Sequence, residues 1–176
     1  MKGLRAKINF FIVALLSVAC SRTSAQHQEA PDTNTAHETE ILSVTMHRSA
    51  CFGTCPVYTV TAKSDGSVSF DGERDVKVKG KSQGSIAKSD YDYLALSIKR
   101  LQFSTWNDQY HFEKDGCKSV WTDNPSVDIV VATQTGKKHV SYYYGCRGFA
   151  LASKIDLLSK IIDDVTDASK WVGPEE

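Results

Sequence analysis

Four cysteines, Cys51, Cys55, Cys117 and Cys146, follow a short secretion signal, and this combination constrains the fold more than any other feature of the chain. Lys2, Arg5 and Lys7 precede an apolar stretch from Ile8 to Ala19, about 12 residues, where a membrane-crossing helix needs roughly 20. A short apolar run after basic residues reads as a signal for export. Exported domains fold where thiols oxidise, so an even count implies disulfides. Of three connectivities, Cys51 with Cys55 and Cys117 with Cys146 is expected, because the first pair flanks one tight turn. Loop-closure entropy assigns these bonds roughly 2 and 3.6 kcal/mol. A four-cysteine zinc site is the rival, but the spacing lacks two CxxC knuckles. A redox-active pair would sit as CxxC at a helix start, which Phe52-Gly53-Thr54 and Pro56 do not resemble.

The end of the signal, Leu16-Ser17-Val18-Ala19-Cys20, resembles a bacterial lipoprotein signal, with Ser17 where Leu is usual. The resemblance implies cleavage before Cys20, a diacylglycerol on its thiol and a palmitate-type acyl chain on its amine. Several chains give stable anchoring where one is marginal. Ordinary cleavage after Thr23-Ser24-Ala25, leaving Gln26 first, is the competing reading. Residues 21–40 have no apolar periodicity and too little apolar surface to repay ordering, so they read as a tether, with His27 and His37 as solvated linker residues. The expected organisation is a signal peptide at 1–19, lipidated Cys20 and tether at 20–40, one domain at 41–172 and a tail at 173–176. The expected location is the cell envelope, at the outer membrane if the host has one. Without Lys2, Arg5 and Lys7, the 21 basic and 21 acidic residues become 18 and 21, a formal charge of minus 3. So weak an acidic balance gives no reason to expect nucleic acid.

Periodicity gives the layout. Leu42, Val44 and Met46 alternate with Ser43, Thr45 and His47, as in a half-buried strand. Tyr58, Val60 and Ala62 do the same, and Ser64-Asp65-Gly66-Ser67 supplies hairpin chemistry before a returning strand with Val68 and Phe70. Asp71-Gly72 reads as the next turn, into a fourth strand with Val76 and Val78. Ser89 and Asp92 resemble a capping box, and Tyr91, Leu94, Ile98 and Leu101 recur at helical spacing, predicting a helix over 90–102. Residues 103–126 show little period and read as a long loop stapled by Cys117. A second hairpin follows, 127–133 with 138–144. Leu151, Ile155, Leu158, Ile162 and Val165 then mark a helix over 149–166. The class is α+β: a four-strand meander plus a second hairpin in one antiparallel sheet, with two amphipathic helices packed on one face.

The segment His47-Arg48-Ser49-Ala50-Cys51-Phe52-Gly53-Thr54-Cys55-Pro56-Val57-Tyr58, followed by a strand and Asp65-Gly66, resembles the signature of bacterial proteins grouped as the domain of unknown function 6438 family. Asp123-Asn124-Pro125-Ser126 and Tyr144-Gly145-Cys146 are similar to its later blocks. The resemblance covers residues 41–172. It implies an exported α+β domain with no assigned activity, catalytic residue or cofactor.

Candidate chemistry is sparse. His47 alternates onto the polar face of its strand beside a cysteine expected to be oxidised, so a Cys and His nucleophilic pair is disfavoured. His111 and His139 lack HxH or HxxxH partners, and no metal or cofactor is expected. Asp108, Glu113, Asp115, Asp123 and Asp128 are scattered and lack an EF-hand pattern, so they read as solvated loop charge. Lys77, Lys79 and Lys81, with Arg74, read as a lysine-guarded sheet edge rather than a contact for an anionic surface. Tyr142, Tyr143, Tyr144 and the three tryptophans read mainly as packing, with Trp121 singled out for exposure. The reading is a non-catalytic binding or interaction module, its partners the membrane through the anchor and an envelope protein or polymer. Phe52, Thr54, Trp121 and Asp123 form the candidate surface, since long stapled loops on a rigid sheet commonly bind. The alternatives are an envelope hydrolase with its site in 103–126 and an inhibitor presenting the Cys51 to Cys55 turn.

Overall fold

The computed structural model describes residues 39–173. The expectations for Cys20, the signal peptide and the tether up to residue 38 lie outside the described residues. Apolar alternation builds β1 (Ile41–Arg48), β2 (Val57–Lys63) and β3 (Ser67–Arg74), followed by β4 (Gly80–Ser85) and helix α1 (Lys88–Arg100). Two short strands, β5 (Gln109–Tyr110) and β6 (Ser119–Val120), precede the hairpin of β7 (Ser126–Thr133) and β8 (Gly136–Tyr143). Then come β9 (Cys146–Arg147), helix α2 (Ala152–Thr166) and the single turn α3 (Ser169–Val172).

One seven-stranded sheet runs β4-β3-β2-β1-β7-β8-β5, and β6 pairs with β9 in a separate ribbon. The fold is α+β, with meander and hairpin joined along β1. Val44 and Met46 of β1, Val60 of β2, Phe70 of β3, Ile129 of β7 and Val140 of β8 point into one core. Leu94 and Ile98 of α1 and Ile155, Leu158 and Ile162 of α2 close the same core, so both helices lie on that face. The opposite face carries short polar side chains, where Thr45 and Thr61 meet across the strands at 2.9 Å.

Several boundaries differ from expectation, each for a physical reason. Asp71-Gly72 is not a turn but lies inside β3, where a Cβ on Gly72 would sit 2.1 Å from the Val78 carbonyl oxygen. Val76 and Val78 do not form the fourth strand. Their alternation docks the end of the described chain instead: Lys77 N–H donates to the Val172 carbonyl at 3.0 Å and Val78 N–H to that of Trp171 at 2.9 Å. The true fourth strand, β4, reads GKSQGS. Its inner face needs no large residue, because the Trp171 ring fills the space over Gly84, 3.1 Å from where a Cβ would stand. Of the basic set, Lys81 does lie on this edge strand. Helix α1 begins at Lys88 with Ala87 as its cap, so Ser89 and Asp92 form no capping box, and Asp92 instead pairs with Lys88 one turn back. Helix α2 starts at Ala152 rather than 149. The 103–126 segment is also not one loop. It holds two 3-10 turns, Phe103–Thr105 and Glu113–Asp115, and the strands β5 and β6. Strand β5 is parallel to β8, with Gln109 opposite Ser141 and Tyr110 opposite Tyr142.

Candidate binding surface

Where β1 ends, Arg48 fixes the geometry. Its Nε donates to the Tyr58 hydroxyl at 2.9 Å, Nη1 to the Tyr144 hydroxyl at 3.2 Å and Nη2 to Asp163 of α2 at 2.7 Å. The Tyr58 hydroxyl donates to the other Asp163 oxygen at 2.6 Å. Burial opposes the Arg48 charge, yet Asp163, Tyr58 and Tyr144 hold its pKa above the usual value. Burial also pushes the Tyr58 hydroxyl upward, and Arg48 offsets this in part. The chain therefore leaves β1 from a fixed post.

Beyond that post, residues 49–56 form a projecting turn. Cys51 is bonded to Cys55, with Cα atoms 5.7 Å apart, and Gly53 takes the left-handed φ of 145° that the tight path requires. Ser49 N–H donates to the Ser126 carbonyl at 2.9 Å, while Ser126 N–H donates to Ser49 Oγ at 2.7 Å. Phe52 N–H donates to the Asp123 carbonyl at 3.3 Å. The turn thus rests on the end of the 103–126 segment, while Phe52 is 88 % exposed. Thr54 is exposed on the same turn.

The 103–126 segment is held in three places. Phe103 and Trp106 are buried, and Trp106 Nε1 donates to the Leu101 carbonyl at 3.1 Å. Asp115 accepts from His111 N–H, Phe112 N–H and the Gln109 amide. Its partial desolvation pulls the other way, but these donors hold its carboxyl below the usual range. Cys117 is bonded to Cys146, with Cα atoms 5.1 Å apart, and β6 pairs Ser119 with Arg147 and Val120 with Cys146. Trp121 N–H then donates to the Gly145 carbonyl at 2.9 Å, and the Tyr143 hydroxyl donates to the Trp121 carbonyl at 2.8 Å. Gly145 permits this approach, since a Cβ there would lie 2.0 Å from the Trp121 carbonyl oxygen. The Trp121 ring is 62 % exposed, with the Arg147 guanidinium 5.3 Å from its centre.

Of the candidate residues, Phe52 and Asp123 meet through the backbone, Asp123 leads back to Trp121, and Thr54 flanks Phe52. Phe112, Val120 and Arg147 belong to the same region although sequence reading passed over them. Between the segment and the sheet lies a hollow of about 250 Å³ lined by His111, Phe112, Val120, Ser126 and Tyr143. A larger cleft, about 520 Å³ and lined in part by Ile41, Ile98, Phe103 and Val131, sits at the other end of β1.

Away from the Arg48 cluster, the histidines and the loop carboxylates are dispersed. His47 Nδ1 meets Thr59 Oγ1 at 3.1 Å, His111 Nε2 meets Ser141 Oγ at 2.8 Å, and His139 Nε2 meets Asp128 at 2.9 Å. Asp108 pairs with Lys138, and Asp123 accepts from the Thr122 hydroxyl at 3.0 Å. Among the described residues, no three His, Cys, Asp or Glu side chains converge in a way that could hold a metal ion. A family model described as Domain of unknown function (DUF6438) matches residues 42–165. Comparison with curated proteins gives no match.

Proposed function

The chain belongs to the family described as Domain of unknown function (DUF6438), a description that carries no activity, so we propose a role from the surface itself. The protein is a non-catalytic interaction module of the cell envelope, anchored through lipidated Cys20 and binding through the face that carries Phe52, Thr54, Trp121 and Asp123. One observation carries the reading: a phenylalanine 88 % exposed on a disulfide-closed turn, backbone-bonded to the segment that presents Trp121. An aromatic ring kept in water is unfavourable for a free monomer, and a rigid mount lowers the ordering cost of using it in contact. Such anchors dominate interface energetics.

The second reading is an envelope hydrolase in the 103–126 segment, and the contact between His111 and Ser141 is what favours it. Ser141 is only 8 % exposed, however, whereas a nucleophile must meet its substrate. Capture of envelope partners by the full chain, repeated with Phe52→Ala and Trp121→Ala, tests the proposal. Loss of at least tenfold in capture, with both disulfides still formed, is expected. Turnover of an ester or cell-wall substrate that is abolished by His111→Ala or Asp123→Asn would replace it with the hydrolase. For the anchor, Cys20→Ser is expected to move the protein out of the membrane fraction, and a mature N-terminus at Gln26 would exclude lipidation.

A further inference from the structure

The hollow beside the projecting turn is sized for one ring. Pockets for free small-molecule ligands run to about 300–1,000 Å³, whereas an apolar cavity of about 150 Å³ holds benzene. At about 250 Å³, this hollow suits a single side chain of a larger partner. Its walls point to an aromatic one: the Phe112 and Tyr143 rings and Val120 form most of them. A sugar ring would need several directed polar groups. His111, Ser126 and Tyr143 carry the polar groups that line the hollow, and two of these are already engaged, His111 Nε2 with Ser141 Oγ at 2.8 Å and the Tyr143 hydroxyl with the Trp121 carbonyl at 2.8 Å.

We infer that the ring is Phe52 of a second copy, so that the surface is self-complementary and two chains pair about a two-fold axis. This rests on the reading of the face as an interaction surface and names its partner. Projection and hollow are neighbours: Ser126, which lines the hollow, donates to Ser49 Oγ at 2.7 Å, and Phe52 N–H reaches Asp123 at 3.3 Å. Within one copy Phe52 leaves the hollow unfilled, since it is 88 % exposed. An axis passing between the two features brings each Phe52 to the other copy's hollow, the isologous arrangement in which each contact occurs twice. A phenylalanine buries about 150–250 Å², so two insertions with their walls bury roughly 600–1,000 Å². That is the size of a weak, transient contact rather than of a stable interface, which buries about 1,200–2,000 Å². Pairing is therefore weak in dilute solution and strengthened where a tether confines both copies to one membrane.

The test uses two differently tagged full-length copies in native membranes, with a photoreactive phenylalanine analogue in place of Phe52 as the probe. A crosslinked dimer joining position 52 of one copy to the peptide around Phe112 or Val120 of the other is expected. Phe52→Ala or Val120→Asp alone should lower co-capture of the two tags at least tenfold. Co-expressing the two variants should restore a substantial part, since one projection and one open hollow then remain. Val120 is 38 % exposed, so an aspartate there is compatible with folding, and an intact Cys117–Cys146 bond checks this. Crosslinks to a different protein or to a polysaccharide, or co-capture indifferent to both substitutions, overturn the second-copy partner while leaving the face an interaction surface. If position 52 crosslinks to nothing and the aromatic substitutions alter no capture, both inferences fall.

Discussion

Arg48 shows how one side chain converts a strand end into a mount. Its side chain and that of Asp163 are 24 % and 25 % exposed, so the pair is far less screened than a surface bridge. Asp163→Asn leaves the guanidinium with neutral partners only, and a loss of about 2 kcal/mol in denaturant unfolding is expected. Neither partner was legible in sequence, because 115 positions separate them and nothing periodic marks either one. A second residue-scale expectation concerns buried tyrosines. Burial pushes Tyr91 and Tyr142 up to about 12, against about 10 in an unfolded chain. As pH rises past 10, the unfolded state releases these protons first, so stability is full below pH 10 and falls between pH 10 and 12. Tyr91→Phe should flatten that fall in a series of unfolding curves, while losing the bond from the Tyr91 hydroxyl to the Ile41 carbonyl at 3.0 Å.

The two disulfides should weigh differently as elements. Cys117 and Cys146 are 29 residues apart and buried, whereas Cys51 and Cys55 are 4 apart and half-buried. Replacing the first pair with serines is expected to cost about 3.6 kcal/mol and the second about 2, read from urea midpoints. Loss of the longer bridge should also shift Trp121 emission, because only backbone hydrogen bonds then hold β6 to β9. Gly145→Ala reaches the same ribbon sterically and should cost about 1–3 kcal/mol. The strands β1, β2, β3, β7 and β8 were readable, since Val44, Val60 or Ile129 each alternate with polar neighbours. Strand β4 was not, because Gly84 lies beneath Trp171 and leaves no apolar residue on its inner face. Strand β5 escaped because two residues cannot show a period. The Phe52 turn was readable from cysteine spacing. Phe112 and Val120 were not, since their exposure depends on how β6 crosses to β9.

At the scale of the whole molecule, the candidate surface gathers at one end of the sheet, where both disulfides lie. The central place of β1 has a separate consequence, for the order in which the molecule assembles. Its pairing with β2 joins residues as near as Arg48 and Tyr58, whereas its pairing with β7 joins Arg48 to Val127. Local contacts cost little loop entropy and the distant seam costs much more, so the meander is expected to form early and the β7 side chains, Val131 opposite Val44 among them, to pack along β1 only late. Val60→Ala should then slow folding, while Val131→Ala should mainly speed unfolding, a difference visible in the two arms of a chevron plot. Until that seam closes, β1 and β7 each present an apolar unpaired edge, so mispairing between chains is a greater hazard during folding than in the finished protein, whose β4 edge is polar and carries Lys81.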